Sequence, residues 1–331
     1  LARILHGFPE RIIQAKPWLL LYRAICRRYT HPAENVPDLQ KAEALFREAG
    51  NIRGLLLAMG NLVEATMLLG RDPVPIHDLQ ARGEELLSDP RSAGFVREQA
   101  LLWLQMGFSY SLRGYNVREG YRAAQNAFRL ARKMKDRPLQ IQALIYSMIP
   151  LAYVGEFTEA DRLRKHVQKM LQTTHYPELE ALFLKTWSEL ALFGGRRDLR
   201  LASKLTEQLN ERIDRLGLLY VQVPALYSEL GYHLYAGNRD RAEQIGRWLR
   251  DLSHDTDNSH GKGVCWILLG LLAYHDQQWN RAREHIEAGL EIFRLPSTRS
   301  FLHEHQFSVA AGLVHMHLGN WRTAQAHLLS S

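Results

Sequence analysis

Cysteine is almost missing from the chain: Cys26 and Cys265 are the only two in 331 residues. They are too few and too far apart for a disulfide framework or a multi-cysteine zinc site, and a reducing cytoplasm fits such usage. Proline is sparse too, at 12 residues, while apolar residues make up 46% and charged residues 23%, a balance that excludes disorder. No apolar run reaches the roughly 18 residues of a membrane span. The longest, around Trp18 to Tyr22 and Val264 to Tyr274, are short and interrupted, so the chain reads as non-membrane. No segment alternates polar and apolar residues as a half-buried strand does. Catalytic and nucleotide signatures are missing as well: there is no G-x4-GK[ST], no HExxH and no recognisable helix-turn-helix. The "HGKG" at His260 to Gly263 lacks phosphate-loop spacing and a following Ser/Thr, and reads as a turn. No Ser/His/Asp or Cys/His arrangement stands out, so the reading is of a protein that is no enzyme and takes no cofactor. The sequence opens on Leu1 without a signal segment and stops at Ser331 inside a predicted helix, which reads as a fragment of a longer chain.

What the chain does have is repetition. "YVGEFTEA" ends at Ala160, "YAGNRDRA" at Ala242, "YHDQQWNRA" at Ala282 and "HLGNWRTA" at Ala324. Each phrase follows an apolar stretch of helical spacing and precedes a more charged amphipathic one. A glycine caps the first helix, and an alanine about five residues on lets the second pack close, which makes a helical hairpin. Ala160, Ala202, Ala242, Ala282 and Ala324 recur at roughly 40 residues, in the range of helical-hairpin repeats. Trp103, Met106, Gly107 and Tyr110 recur as Trp266, Leu269, Gly270 and Ala273, the W-x2-L-G-x2-Y pattern of the tetratricopeptide repeat with longer helices.

Five pairs, the Ala160 and Ala202 hairpins among them, can be read before the last three: Pro17 to Tyr29 with Pro37 to Ala49, Arg53 to Leu69 with Ile76 to Leu87, and Phe95 to Arg113 with Val117 to Lys135. Pro138 to Val154 then pairs with Phe157 to Leu171, and Pro177 to Phe193 with Leu199 to Arg215. The expected fold is all-α: one domain over 1–331, a right-handed superhelical solenoid of about eight tetratricopeptide-like hairpins. Its first part, 1–90, is irregular, and 91–331 is more regular. The most polar loop, and the best flexible connection, is Ser253 to Gly263. Exposed ends near Leu5 and Leu328 would leave room for a homo-oligomer.

The net charge of +7 is compatible with a nucleic-acid partner. However, the basic runs Arg129 to Arg137, Arg162 to His166 and Gly194 to Arg200 fall in or beside second helices, and read as a solvated outer face with no direct nucleic-acid binding.

From Phe8 to Leu69 the residues Phe8, Pro9, Pro17 to Leu20, Ala42, Leu45, Phe46, Gly50, Asn51, Gly54, Leu57, Ala58, Val63 and Glu64 form a pattern. It is an "FP" step, a "PWLL" helix, an "A-x2-LF-x3-G-[DN]-x2-G" turn and an "LA-x4-[VI]E" helix. This resembles the opening of the tetratricopeptide-like sensor region in MalT-like and LuxR-type bacterial transcription regulators with a signal-transducing NTPase. The resemblance implies a module that receives a small-molecule inducer or a regulatory protein or peptide. It would pass the signal to NTPase and DNA-binding domains of the parent chain. The alternative is an adaptor that grips a partner's helix or peptide and has no small-molecule ligand.

In such a stack the first helix of each hairpin lines the concave side. On the Trp103/Gly107 register, Trp103, Trp266 and Tyr110 read as packing residues, and the groove-facing places carry Leu104 and Phe108, Gln142 and Ile149, Lys185 and Glu189, Ser228, Tyr232, Tyr235, Tyr274 and Gln306. Tyrosines, amides and a Lys/Glu pair suit a polar ligand or a peptide backbone. His303/His305 and His315/His317, two apart on helices, point roughly 200° away from each other and cannot converge on one metal ion. Cys26 and Cys265 read as packed thiols.

Overall fold

A computed structural model describes residues 5, 7–29, 31–113, 116–193, 197–299 and 301–330. Among them the regular structure is helical throughout, with 17 α-helices, one 3-10 turn at Pro90–Ser92 and no strand. After α1 (Glu10–Ala15), the helices follow one another as α2 (Pro17–Arg27), α3 (Pro32–Glu48), α4 (Ile52–Leu69), α5 (Ile76–Ser88), α6 (Val96–Leu112), α7 (Val117–Met134), α8 (Arg137–Tyr153) and α9 (Phe157–Leu171). They continue as α10 (Pro177–Phe193), α11 (Leu199–Leu216), α12 (Leu219–Tyr235), α13 (Arg239–Asp255), α14 (Ser259–His275), α15 (Trp279–Arg294), α16 (Phe301–His317) and α17 (Trp321–Leu329). From α2 onward successive helices pack as hairpins, seen in α2/α3, α4/α5, α6/α7, α8/α9, α12/α13, α14/α15 and α16/α17, so the architecture is an all-α helical repeat.

The repeated phrase marks the turn inside a hairpin. Gly237 (φ 76°) and Gly319 (φ 75°) take the left-handed conformation that ends the first helix, and in "YHDQQW" Gln277 takes it at φ 58°. The repeated glycine earlier in the first helix has another purpose. A Cβ on Gly107 would lie 2.9 Å from the Ala124 nitrogen and 3.0 Å from the Gly120 oxygen; one on Gly270 would lie 3.0 Å from the Ile286 nitrogen. These glycines are where the two helices of a hairpin touch backbone to backbone. The recurring alanines, Ala160, Ala202, Ala242, Ala282 and Ala324, are all buried.

Three expectations about these elements need correction. α3 starts at Pro32, not Pro37: Pro32 occupies the first turn, where a missing N–H costs nothing, and Pro37 is carried inside the helix. The stretch Ser253 to Gly263 is not a long loop, and "HGKG" is not a turn. α13 runs to Asp255 and α14 starts at Ser259, with the Asn258 side chain accepting the Gly261 N–H at 2.7 Å as an N-cap. Its glycines serve close packing: a Cβ on Gly261 would meet Val223 at 2.6 Å, and one on Gly263 would meet the Phe293 ring at 2.7 Å.

The chain divides into two compact units, Leu1–Ser111 with Tyr115–Glu180, and Leu112–Gly114 with Ala181–Ser331. The first is built on a core that includes Leu20, Leu21, Leu39, Phe46, Leu56, Met59, Leu62 and Leu102. The second is built on one that includes Leu226, Leu230, Leu249, Ile267, Ile286, Leu290 and Phe293. α4 corrects the survey of apolar runs. Over 18 residues it is long and apolar enough to cross a membrane, yet 78% of it is buried inside the fold, as a core helix would be. Leu5, expected at an exposed end, is buried, whereas Leu328 is exposed. Cys265 is buried with its thiol on the Gly246 carbonyl at 3.3 Å, and burial pushes its pKa up to about 12, as befits a packed thiol; Cys26 is partly exposed.

Candidate functional site

The first helices of the N-terminal unit do not present a uniformly apolar face. Arg28 and Tyr29 follow the last turn of α2, Glu64 comes from α4, Gln105 and Phe108 from α6, Gln142 and Tyr146 from α8, and Glu178 from the first turn of α10. These side chains interact as one group. The Phe108 and Tyr146 rings stack at 4.6 Å with an interplanar angle of 16°. Arg28 lies over the Tyr29 ring at 4.4 Å and pairs with Glu178 at 3.6 Å. Gln105 donates from Nε2 to Glu64 at 3.3 Å, while its own Oε1 is buried without a partner.

The electrostatics follow from burial. Glu64 is only 7% exposed. Desolvation raises its pKa above the ordinary carboxylate range, and the nearby Arg28 charge and the Gln105 hydrogen bond only partly oppose this. Burial likewise pushes the Tyr29 and Tyr146 phenols up, and Glu64 pushes in the same direction. For Arg28, burial acts to lower the pKa, but Tyr29, Glu64 and Glu178 together outweigh it and leave the guanidinium firmly charged.

Glu64 differs from the other buried carboxylates. Asp38 receives two bonds from Arg23 at 2.7 Å, Glu43 bonds Arg47 at 3.0 Å and also pairs with Arg82, Glu98 bonds Arg53 at 2.7 Å, and Glu229 bonds Arg241 at 3.0 Å and Asn210 at 2.9 Å. Among the described residues, Glu64 is the one buried carboxylate with no cation within ion-pair distance.

The other groove residues expected from the sequence lie in the C-terminal unit, where most are engaged locally. Lys185 and Glu189 pair at 2.8 Å, and Glu189 also accepts a short hydrogen bond from the Tyr227 hydroxyl. Ser228 is buried and bonds back to the Pro224 carbonyl at 3.1 Å. Tyr232 packs edge-on against His233 at 4.9 Å, and Arg197 lies over the Tyr235 ring at 3.9 Å. The Tyr274 hydroxyl meets His317 Nε2 at 3.0 Å, and that imidazole stacks on Trp279 at 4.2 Å. His315 bonds Glu287 at 2.9 Å instead, so the two histidines serve different neighbours. Gln306 belongs to α16, but its side chain lies outside the described residues.

Because Lys185 is nearly buried, Lys185→Met should leave Glu189 without a cation. An expected loss of about 1–3 kcal/mol, discounted from a fully buried pair for the partial exposure of Glu189, should appear in urea unfolding. Lys185→Met/Glu189→Leu should recover most of it.

Phe108 and Gln142 are thus the two expected residues that meet in the polar group of the first unit. Leu104, fully buried, and Ile149, 6% exposed, belong to the apolar core. Trp103, Tyr110 and Trp266 are half-buried packing residues, with the Tyr110 hydroxyl held by Glu84 and Trp266 against the His285 ring at 5.1 Å. Sequence reasoning missed Arg28, Tyr29, Gln105, Tyr146 and Glu178 as site residues and read Glu64 only as part of a motif. The available signal was Glu64 itself, the one carboxylate in a largely apolar 18-residue helix.

No family model matches the chain, and no curated protein matches it either. Among solved structures it is similar to the apo form of RapI, with a TM-score of 0.48 and 11% identity over 82% of this chain and 73% of that one.

Proposed function

We propose that the chain is a non-catalytic sensing module of a bacterial transcriptional regulator, a single repeat module that binds an inducer or a regulatory protein on its first-helix face. The observation that carries this reading is the convergence of Arg28, Glu64, Gln105, Phe108, Gln142 and Tyr146 where a purely structural repeat would place aliphatic side chains. Polar groups that are buried or half-buried cost stability unless something satisfies them, and a ligand does so. The regulatory context comes from the resemblance over Phe8 to Leu69, which also supplies the expected NTPase and DNA-binding domains of the parent chain. Lys185, Glu189, Ser228, Tyr232, Tyr235, Tyr274 and Gln306 are proposed as further binding residues, within the C-terminal unit. Ligand binding changes the module only through a difference in affinity between two states.

A thermal-shift screen against sugars, nucleotides, amino acids and peptides tests this. A ligand at 100 times its Kd should stabilise by about 2.7 kcal/mol, and Phe108→Ala or Gln142→Ala should remove the effect. A stabilising ligand indifferent to both substitutions would place binding elsewhere. The adaptor reading draws on a different feature: Val309, Leu313 and Met316 form an exposed apolar stripe along α16. If Leu313→Ser abolishes capture of a partner protein while Phe108→Ala does not, the adaptor reading is the right one.

A further inference from the structure

We infer that the first-helix face of the N-terminal unit takes a hydrogen-bond-donating organic cation, a protonated amine or a guanidinium, at Glu64 and Gln105. The inference rests on the binding reading above and gives it a ligand class.

Acceptors outnumber donors at this place. Glu64 offers two carboxylate oxygens and receives one hydrogen bond, a long one at 3.3 Å from Gln105. Gln105, itself 6% exposed, holds its Oε1 against the same wall with no donor. A buried amide oxygen beside a buried carboxylate is an acceptor-rich corner, and the complementary group carries several N–H donors.

Glu64 and Glu178 share one cation, Arg28, which pairs with Glu178 at 3.6 Å, lies over the Tyr29 ring and acts on Glu64 only from beyond ion-pair distance. The group therefore has one negative charge in excess when Glu64 is ionised, and a single incoming positive charge balances it. The chain also shows how it satisfies a buried carboxylate elsewhere. Asp38, Glu43, Glu98 and Glu229 each take a guanidinium at 2.7–3.0 Å. At Glu64 the chain supplies none within that distance.

Tyr29 and Tyr146 are close enough to feel the charge of Glu64, and the Phe108 ring stacks on Tyr146. Aromatic faces attract cations, most strongly where water is excluded. A neutral polyol would satisfy the acceptors and leave the charge of Glu64 uncompensated in a buried setting.

The test is an NMR titration of the whole chain with its glutamine side chains isotope-labelled, following the Gln105 amide. The probes are guanidinium and methylammonium chloride at non-denaturing concentrations, with tetramethylammonium, which has the charge and no donor, as the control. Agmatine and a capped arginine-containing peptide distinguish a free metabolite from a peptide side chain as the source. Guanidinium, methylammonium and at least one of the larger probes should shift the amide saturably, and tetramethylammonium should not. Glu64→Gln should weaken binding at least tenfold, and Tyr146→Phe, which keeps the ring, should weaken it far less. Because burial raises the Glu64 pKa, affinity should still climb with pH above the ordinary carboxylate range. No saturable shift with any probe, or an equal shift in Glu64→Gln, overturns the inference. If a neutral or anionic compound from the thermal screen binds and is lost in Phe108→Ala, the binding reading stands and only the cation assignment fails.

Discussion

Leucine in place of Gly107 should leave the N-terminal unit unfolded, the largest effect expected of any single substitution in the repeat glycines. A Cβ there would lie 2.9 Å from the Ala124 nitrogen, 3.0 Å from the Gly120 oxygen and 3.4 Å from the Ala123 Cβ. Two of the three are backbone atoms of the partner helix, which cannot rotate away as a side-chain tip can. α6 and α7 must separate, and every residue that packs between them loses contact. Alanine at 107 should cost about 1–3 kcal/mol, the usual range for overpacking. Leucine should cost more than that, comparable with the whole stability of a marginal domain. Gly94 is the control: a Cβ there meets nothing within 4 Å, so Gly94→Ala should stay within about 0.5 kcal/mol of wild type. Circular dichroism and hydrogen exchange over residues 96–134 would read the difference. A folded Gly107→Leu chain would mean that the hairpin does not close as described.

The second large effect is in the other unit. Phe293 on α15 is fully buried, with its ring beside Gly263, edge-on to His260 at 5.6 Å and stacked on Phe307 at 6.4 Å. It therefore joins α14, α15 and α16 at one point. Phe293→Ala should cost about 3–5 kcal/mol, combining lost transfer energy with the cavity left behind. For a unit of this size that is a fall of roughly 6–20 °C in Tm. The cavity borders Gly263, so Gly263→Ala in the Phe293→Ala background should be tolerated better than Gly263→Ala alone. Equal costs in the two backgrounds would show that ring and glycine do not pack as a pair.

The hairpins were legible in the sequence because their turn and their crossing point each demand a particular residue. The left-handed turn needs a residue such as Gly237 or Gly319, and the helix crossing needs the small residues that recur as Gly107, Gly270, Ala242 and Ala282. Where the same residue types serve a different purpose, the reading failed. Gly261 and Gly263 looked like turn glycines and prove to be packing glycines inside α14; Pro37 looked like a helix start and lies within one.

The site was legible only in part, for a geometric reason. One residue on a helix is a rotation of about 100°, so placing Leu104 on the groove instead of Gln105 exchanged a buried core residue for the side chain that reaches Glu64. Phe108, three positions beyond Gln105, was placed on the right face. Glu64, Tyr146 and Glu178 are brought together by the stacking of successive hairpins, and no local pattern announces a meeting between residues so far apart in sequence.

The central claim is that Glu64 is kept for binding and not for folding, and its most direct test needs no ligand. Burial raises the pKa of Glu64 in the folded chain. Its contribution to stability is therefore fully present below the ordinary carboxylate pKa and is lost as pH rises through the raised value. Gln at this position cannot ionise and keeps a partner for Gln105. The measurement is the Tm of Glu64→Gln against wild type from pH 4 to pH 8. Glu64→Gln should be more stable at pH 8, by about 1–3 kcal/mol for relieving an under-satisfied buried charge, with the gap closing toward pH 4. A variant that is less stable at pH 8 would contradict it, and would make Glu64 a structural partner of Arg28 and Gln105 instead of a site awaiting its ligand.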